Sequence, residues 1–303
     1  MINDTLNQTV IVINNTIIAG NGNSGIDWVT IGAQFIPVFA YLAVFLLVFM
    51  LPYISTTKSA SLKNISKITK RNVVLIKHTG SDLFSMSMID QKCLRKISYI
   101  MNKLKGEDFD LVLHTPGGDI FSTLAISRLI NQYPGKIRAI IPLYSMSGGS
   151  LLALSCKEIL MTQNASTGPI DPQISSFFKF GSARAWEHIV KFKGKKADDQ
   201  SVSFAMMGKQ YTKSIQAHLM KICDFNLNEK QKQKLVTFLT DGKVEHAYPL
   251  TPIDLSGFGL NVNIIEDEKF LRLLSKLIAS SGKEGTKYYK LSKRQRKKYG
   301  NNS

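Results

Sequence analysis

Two polar turns, each with paired glycines, carry residue types suited to acyl transfer. "HTPGGD" occupies residues 114–119, and "YSMSGGS" occupies residues 144–150. Each follows an apolar run and precedes a helical pattern, so each is predicted to join a strand to a helix. Such a turn presents unpaired backbone N–H groups at the positive end of a helix dipole, which suits an anion. The second turn adds the hydroxyl of Ser147. Together the turns predict a nucleophile beside donors that stabilise a tetrahedral oxyanion.

A purely structural interpretation of both turns is also open. A serine that precedes a helix commonly caps it, and paired glycines commonly make a turn without any chemistry. Composition and spacing alone do not decide between this interpretation and the catalytic one.

Strand and helix patterns alternate around these turns. "NVVLIKH", "FDLVLH" and "KIRAIIPLY" are apolar, β-branched runs, whereas "MIDQKCLRKISYIMNKL" and "IFSTLAISRLINQY" have helical apolar spacing. The succession predicts a layered α/β domain with a largely parallel sheet. Ligands of such sheets bind beyond the carboxyl ends of the strands, where both turns fall. Residues 198–277 are predicted to be mainly helical.

An uncharged apolar segment, residues 29–54, precedes this domain. It is long enough to cross the roughly 30 Å hydrocarbon layer as a helix. Basic residues begin at Lys58, whereas residues 1–28 contain none. The positive-inside rule therefore predicts a single-pass protein of the cell membrane with its N-terminus outside and its main domain in the cytoplasm. A cleaved signal peptide is the alternative, but it requires a basic start and a shorter apolar core.

Charge and cysteine content indicate which partners and which cellular compartment to expect. The net charge is +17, and residues 281–303 form a basic tail with eight basic residues and one Glu. This tail is predicted either to contact anionic lipid or simply to be solvated, and no nucleic-acid module accompanies it. The three cysteines are scattered singly, which favours a reducing compartment. No metal-ligand cluster or phosphate-binding loop is present, so no cofactor is predicted.

Three longer stretches resemble the serine dehydrogenase proteinase family, relatives of signal peptide peptidase A and of the Clp proteolytic subunit. They are "LVLHTPGGD", "IIPLYSMSGGSLLALSCKEILMTQNASTGPIDPQI" and "FLTDGKVEHAYPLTPIDLSGFGLNV". The resemblance runs over residues 62–278. It implies a Clp/crotonase-like fold, serine peptidase activity on proteins or peptides, and a homo-oligomer. The expected organisation is an extracytoplasmic segment (1–28), a transmembrane helix (29–54), a peptidase domain (55–280) and the basic tail (281–303).

The resemblance also assigns site residues. Ser147 corresponds to the nucleophile, with Ser145 and Ser150 as local rivals. The expected oxyanion-hole donors are backbone N–H groups of glycines: Gly118 and Gly148, with Gly117 as the neighbouring candidate.

The general base is a separate question. In the Clp subunit a histidine follows the serine by some 25 residues, but here that position falls within "GPIDPQ", which has none. Signal peptide peptidase A instead uses a lysine, which must be neutral to accept a proton. Lys209 follows the apolar "FAMMG" and is the preferred candidate because partial burial would lower its pKa, whereas Lys193 lies among other lysines. Either lysine is equally explained as a solvated helix residue. Asp171 is expected to orient the base or to fix the "PIDPQ" turn.

Other polar residues receive lesser roles. Asp119 is expected to cap a helix, and His114 to be packed rather than catalytic. His246 and Tyr248, in "EHAYPLTP", are placed on a loop near the site.

The sequence thus predicts a membrane-anchored serine peptidase with a Ser147–Lys209 dyad. Two alternatives are an inactive scaffold of the same fold and a crotonase-type acyl-CoA enzyme, which uses the same oxyanion chemistry.

Overall fold

The structure is a computed structural model that describes residues 11–13, 16–18, 60–82, 85–176, 179–223, 227–280 and 284–300. The chain divides into two compact units, residues 1–57 and 58–303. The described part of the first unit is an antiparallel pair of short strands, β1 (Ile11–Ile13) and β2 (Thr16–Ile18). The predicted transmembrane segment, 29–54, lies outside the described residues. Among the residues that are described, no helix is both long and apolar enough to cross a membrane.

A six-stranded sheet forms the centre of the second unit. Its strands, in spatial order, are β13 (Val262–Ile264), β9 (Glu158–Met161), β7 (Ile137–Ile141), β6 (Phe109–His114), β3 (Asn72–Lys77) and β14 (Gly285–Tyr289). All neighbouring pairs are parallel except β14 with β3. Every residue of β3 and β6 is buried, as expected for parallel strands covered on both faces. The predicted layered α/β fold with a largely parallel sheet is therefore confirmed.

Helices and short strands complete the unit. The helices are α1 (Ala60–Thr69), α2 (Gln91–Leu104), α3 (Ile120–Gln132), α4 (Gly148–Leu154), α5 (Ala183–Lys193), α6 (Asp199–Ile222), α7 (Glu229–Thr240), α8 (Pro252–Gly257), α9 (Glu268–Ala279) and α10 (Lys293–Gly300). The short strand pairs are β4 (Gly80–Asp82) with β5 (Ser85–Ser87), β8 (Tyr144–Ser145) with β10 (Ser166–Thr167), and β11 (Gln173–Ser176) with β12 (Lys179–Ser182). Residues 194–196 form a short 3₁₀ helix after α5.

Alternation along the strands separates two apolar layers. Val74 and Ile76 face the larger cluster, to which α2, α3, α4, α6 and α7 contribute. Val73 and Leu75 face the smaller cluster, which α1 and α9 cover. Because successive strand residues point to opposite faces, one buried strand supplies both layers.

The segment predicted to be a basic tail forms part of the fold. β14 pairs with β3 through five residue pairs, and α10 follows it. Glu107, two residues before β6, forms ion pairs with Lys290 and Arg296. The domain boundary expected at residue 280 is thereby corrected, because the unit continues through α10. The abundance of basic residues hid a strand whose alternating pattern covers only five residues.

Deletion of residues 281–303 should expose the edge of β3 and lower the free energy of unfolding. A backbone hydrogen bond contributes about 1 kcal/mol, so we expect a loss of a few kcal/mol together with aggregation. Thermal unfolding of the detergent-purified protein, followed by circular dichroism, measures this. Deletion of residues 292–303 alone is the matched control, because it keeps β14. Equal stability of the two truncated proteins would contradict a structural role for β14.

Candidate active site

The two glycine-paired turns meet at the carboxyl ends of β6 and β7. Thr115, which follows β6, pairs with Ser145 of β8, so the turns lie side by side. A cavity of about 900 Å³ opens at this edge and is lined by residues of both turns. The sheet therefore brings together the two motifs that are thirty residues apart in the sequence.

Ser147 lies at the point where β8 turns into α4. Its backbone has φ +49° and ψ −117°, a conformation that costs a residue with a side chain about 1–3 kcal/mol. The hydroxyl does not cap α4, and it forms no hydrogen bond with another described residue. Instead the residue is half-buried and lines the cavity. A nucleophilic serine is typically found in this way, at a strained turn that begins a helix, with a hydroxyl that has no hydrogen-bond partner among the described residues.

The rival serines point elsewhere. Ser145 is fully buried, and Ser150 donates to the Ser145 carbonyl at 2.8 Å and accepts from the Gly168 N–H at 3.0 Å. Neither lines the cavity. Of the three serines in "SMSGGS", only Ser147 reaches it.

Two backbone N–H groups beside Ser147 are available to a ligand. The amides of Gly118 and Gly148 have no hydrogen bond within the described residues. They are close together, since a Cβ on Gly148 would lie 3.4 Å from the Gly118 nitrogen. The Gly117 amide, in contrast, donates to Thr115 Oγ1 at 3.2 Å. Among the described residues, Gly118 and Gly148, but not Gly117, thus have backbone N–H groups free to bind a ligand.

Contacts with Ile89 hold the first turn in place. The Ile89 N–H donates to the Gly117 carbonyl at 2.8 Å, and the Asp119 N–H donates to the Ile89 carbonyl at 2.9 Å. Gly117 has φ +117°, and a Cβ on it would lie 2.9 Å from the Cβ of Ser147. Asp119 caps α3 by accepting from the Ser122 N–H at 2.7 Å, as the sequence predicted.

Asp171 and His246 form a hydrogen-bonded pair on the cavity wall. His246 Nδ1 and Asp171 Oδ1 are 2.7 Å apart, and Gln173 Nε2 donates to Asp171 Oδ2 at 2.7 Å. Asp171 is buried, whereas the His246 side chain is 34% exposed. A carboxylate on Nδ1 holds the proton there, which leaves the Nε2 lone pair free to accept another proton. The cavity therefore contains a serine, a histidine and an aspartate.

The predicted lysine bases are not at the cavity. Lys209 is exposed on α6, contrary to the partial burial that "FAMMG" suggested. Its neighbour Gly208 is the residue that packs against Ala183 of α5, and an α-helix turns by 100° per residue, so Lys209 is turned away. Lys193 is also exposed and lies 3.6 Å from Asp198. Neither lysine is among the residues that line the cavity.

Sequence reasoning placed His246 near the site but gave it no catalytic role. The residue follows Ser147 by about one hundred positions, far outside the spacing found in the Clp subunit. Reciprocal backbone hydrogen bonds between Thr167 and Leu250, at 2.9 and 2.8 Å, bring its loop to the cavity. The only local signal was a histidine in a proline-containing loop, "EHAYPLTP".

The remaining histidine beside the first turn has a packing role. His114 is buried, and its ring lies 4.1 Å from that of Tyr144. Burial, assisted by the charge of Lys77, lowers the pKa of His114 to about 4. The imidazole is therefore neutral at physiological pH, as expected for a packed histidine.

Fold and site together define a layered α/β domain with a serine turn at the edge of its largely parallel sheet. A family model of ClpP-like SDH-type serine proteinases matches residues 33–302, and the chain belongs to this family. The resemblance seen in the sequence is thereby confirmed.

Individual relatives are similar to this chain over part of their length. Two uncharacterized proteins of Methanocaldococcus jannaschii are similar to this chain. MJ0137 is 33% identical over 56% of this chain and 58% of its own length. MJ1495 is 32% identical over 62% of this chain and 63% of its own length. The chain thus spans about three fifths of each relative. A solved mutant of the 1510-N membrane-bound stomatin-specific protease aligns over 61% of this chain and 79% of that chain, with 15% identity and a TM-score of 0.43.

Replacement of Ser147 by glycine should stabilise the protein. Glycine adopts positive φ without strain, so relief of the strain should outweigh the greater freedom of the unfolded chain, with a net gain of about 1 kcal/mol. The comparison is with Ser147→Ala, which removes the hydroxyl and keeps the strain. The measurement is the unfolding temperature of the two variants, which should be higher for Ser147→Gly than for Ser147→Ala. A glycine variant no more stable than the alanine variant would argue that the turn is unstrained.

Proposed function

We propose that the protein is a serine peptidase that hydrolyses peptide bonds through an acyl-enzyme on Ser147. His246 acts as general base and Asp171 orients it. The observation that carries this proposal is the 2.7 Å hydrogen bond between Asp171 and His246 on the wall of the cavity that Ser147 lines. Membership of a serine proteinase family supports the reaction class. The histidine replaces Lys209 as the proposed base.

Acylation starts with attack of Ser147 Oγ on the carbonyl carbon of the scissile bond. His246 Nε2 accepts the hydroxyl proton, and Asp171 stabilises the resulting imidazolium. The carbonyl oxygen becomes negatively charged and accepts hydrogen bonds from the Gly118 and Gly148 amides. The C–N bond then breaks, and the leaving amine takes the proton from His246.

Deacylation repeats these steps with water as the nucleophile. His246 takes a proton from the water, and the hydroxide attacks the ester carbonyl. The second tetrahedral intermediate uses the same two amides. Collapse of that intermediate breaks the bond to Ser147 Oγ, which regains its proton from His246, and the carboxylic acid product leaves.

The shape and lining of the cavity suit a peptide with an apolar side chain. Much of its wall is aliphatic or aromatic, and the apolar residues that line it include Ile120, Leu124, Leu151, Ile170 and Ile215. Burial of such a side chain gains about 1.5–3 kcal/mol, which is enough to select it over a polar one. Proteins or peptides that present apolar segments are the proposed substrates, and a homo-oligomer is the proposed form.

The location of the enzyme is also part of the proposal. Residues 29–54 would span the cell membrane once, with the N-terminus outside and the catalytic unit in the cytoplasm. The absence of charged residues in this segment supports the membrane span. The basic residues from Lys58 onward support the orientation. An enzyme held in this way acts on substrates close to the membrane surface.

A fluorophosphonate probe should label Ser147 in the detergent-purified protein. Ser147→Ala should abolish labelling, and His246→Ala should slow it by about 10²–10⁴-fold, the usual contribution of a general base. Asp171→Asn should also slow it, because the amide no longer holds the required tautomer. Lys209→Ala is the matched control and should label at the wild-type rate. Mass spectrometry identifies the labelled residue.

Other outcomes of the same experiment point to other functions. Loss of labelling in Lys209→Ala but not in His246→Ala would restore the serine–lysine dyad. An intact protein that does not label at all would favour the scaffold. An acyl-CoA enzyme would be indicated if acyl-CoA, but no peptide, protected Ser147.

Membrane topology can be measured with single cysteines. The native Cys93, Cys156 and Cys223 are buried, and burial raises the pKa of Cys93 to about 11 and that of Cys223 to about 12, so they should react slowly. A membrane-impermeant maleimide applied to intact cells should label Asn7→Cys and leave Lys195→Cys unlabelled. Both variants should label after lysis. Labelling of Lys195→Cys in intact cells would reverse the proposed orientation.

A further inference from the structure

A buried hydroxyl without a partner lies in the cavity wall. Thr123, in the second turn of α3, is 2% exposed, and its Oγ1 has no hydrogen-bond partner among the described residues. Its own N–H donates to the Asp119 carbonyl at 3.0 Å. An unpaired buried hydroxyl costs about 1–3 kcal/mol, so its retention in a wall that faces a ligand site calls for a partner supplied by the ligand.

The Thr123 side chain packs against Gly148, one of the two glycines whose amides form the proposed oxyanion hole. The position that a Cβ on Gly148 would occupy lies 2.7 Å from Thr123 Oγ1 and 3.4 Å from the Gly118 nitrogen. The hydroxyl and the Gly118 amide therefore border the same side of Gly148. Because Gly148 has no side chain, nothing attached to it separates the hydroxyl from the cavity that both residues line.

We propose that the Thr123 hydroxyl is a third hydrogen-bond donor of the oxyanion hole. It would donate to the carbonyl oxygen of the scissile bond as that oxygen becomes negatively charged, beside the Gly118 and Gly148 amides. The hydroxyl keeps its proton throughout. The Thr123 hydroxyl has no hydrogen-bond partner among the described residues, so it can donate without breaking an existing hydrogen bond. This is the condition for a preorganised donor. This inference rests on the proposed peptidase function.

The preceding residue of α3 provides a matched control. Ser122 is fully buried, and its Oγ likewise has no partner among the described residues. However, Ser122 does not line the cavity. The two hydroxyls share a helix, their burial and the lack of a partner among the described residues, and they differ in that Thr123 lines the cavity and Ser122 does not.

The test compares Thr123→Val, Thr123→Ser and Ser122→Ala in the full chain purified in detergent. Valine has nearly the shape of threonine, and removal of an unpaired hydroxyl should not lower the unfolding temperature. With an apolar coumarin tetrapeptide as substrate, Thr123→Val should reduce kcat by about 10²-fold and change KM little, as for loss of one oxyanion donor. Thr123→Ser should keep most of kcat, and Ser122→Ala should match the wild type.

Two inhibitors separate a donor from a packing residue. A peptide aldehyde forms a tetrahedral adduct with Ser147, so its affinity should fall in Thr123→Val by about the same factor as kcat. A peptide with a reduced scissile amide has no carbonyl oxygen, and its affinity should not change. A similar loss for both peptides would mean that Thr123 only shapes the cavity, which would overturn the proposal.

Failure of the donor role differs from failure of the proposed function. An active wild type whose Thr123→Val variant has the same kcat, or whose Thr123→Ser variant is as impaired as valine, overturns the donor role alone. A folded wild type that neither cleaves peptide nor labels at Ser147 overturns the peptidase function and the donor role with it.

Discussion

The candidate active site depends on the close approach of two backbone turns. Gly118 lies against the Ile89 carbonyl, where a Cβ would overlap that oxygen, and Gly148 lies against Thr123. These approaches place side by side two amides that have no partner among the described residues, and they hold Ser147 at positive φ. Each contact is short because a side chain is missing, so the two amides and the serine are positioned by backbone geometry. Such a site needs no reorganisation when charge develops on a bound oxygen.

The sheet makes that approach possible. β6 and β7 are parallel and almost wholly buried between two helical layers, so the turns that follow them emerge at one edge with little freedom. The strain at Ser147 persists because this surrounding core is well packed. The hydrogen-bonded pair of Asp171 and His246 is held differently. Asp171 is buried beside the cavity, and His246 is brought there by a loop that is attached to β10 through Thr167 and Leu250.

Local patterns in the sequence were sufficient for most of the fold. Apolar runs and helical stripes predicted the strands and helices, and the two turns predicted a serine beside backbone donors. The resemblance to the family was needed to assign Gly118 and Gly148 to the candidate site. The rest of the candidate site depends on long-range contacts that no local pattern encodes. His246 reaches the cavity through a bridge between distant segments, and Lys209 differs from the buried Gly208 by one helix position. β14 was hidden because its few apolar residues lie in a strongly basic stretch.

The attachment of His246 has an evolutionary consequence. The loop that carries this histidine contributes only Leu250 to the two apolar clusters, whereas α4, which starts at the serine turn, contributes four consecutive residues, Leu151–Leu154, to the larger one. Substitutions in the loop can therefore remove the proposed base while the core and the Gly118 and Gly148 amides survive. A descendant altered in this way would keep these two amides at the cavity and could be recruited to bind carboxylates or thioesters. In this architecture, the proposed hydrolysis would be easier to lose than the fold.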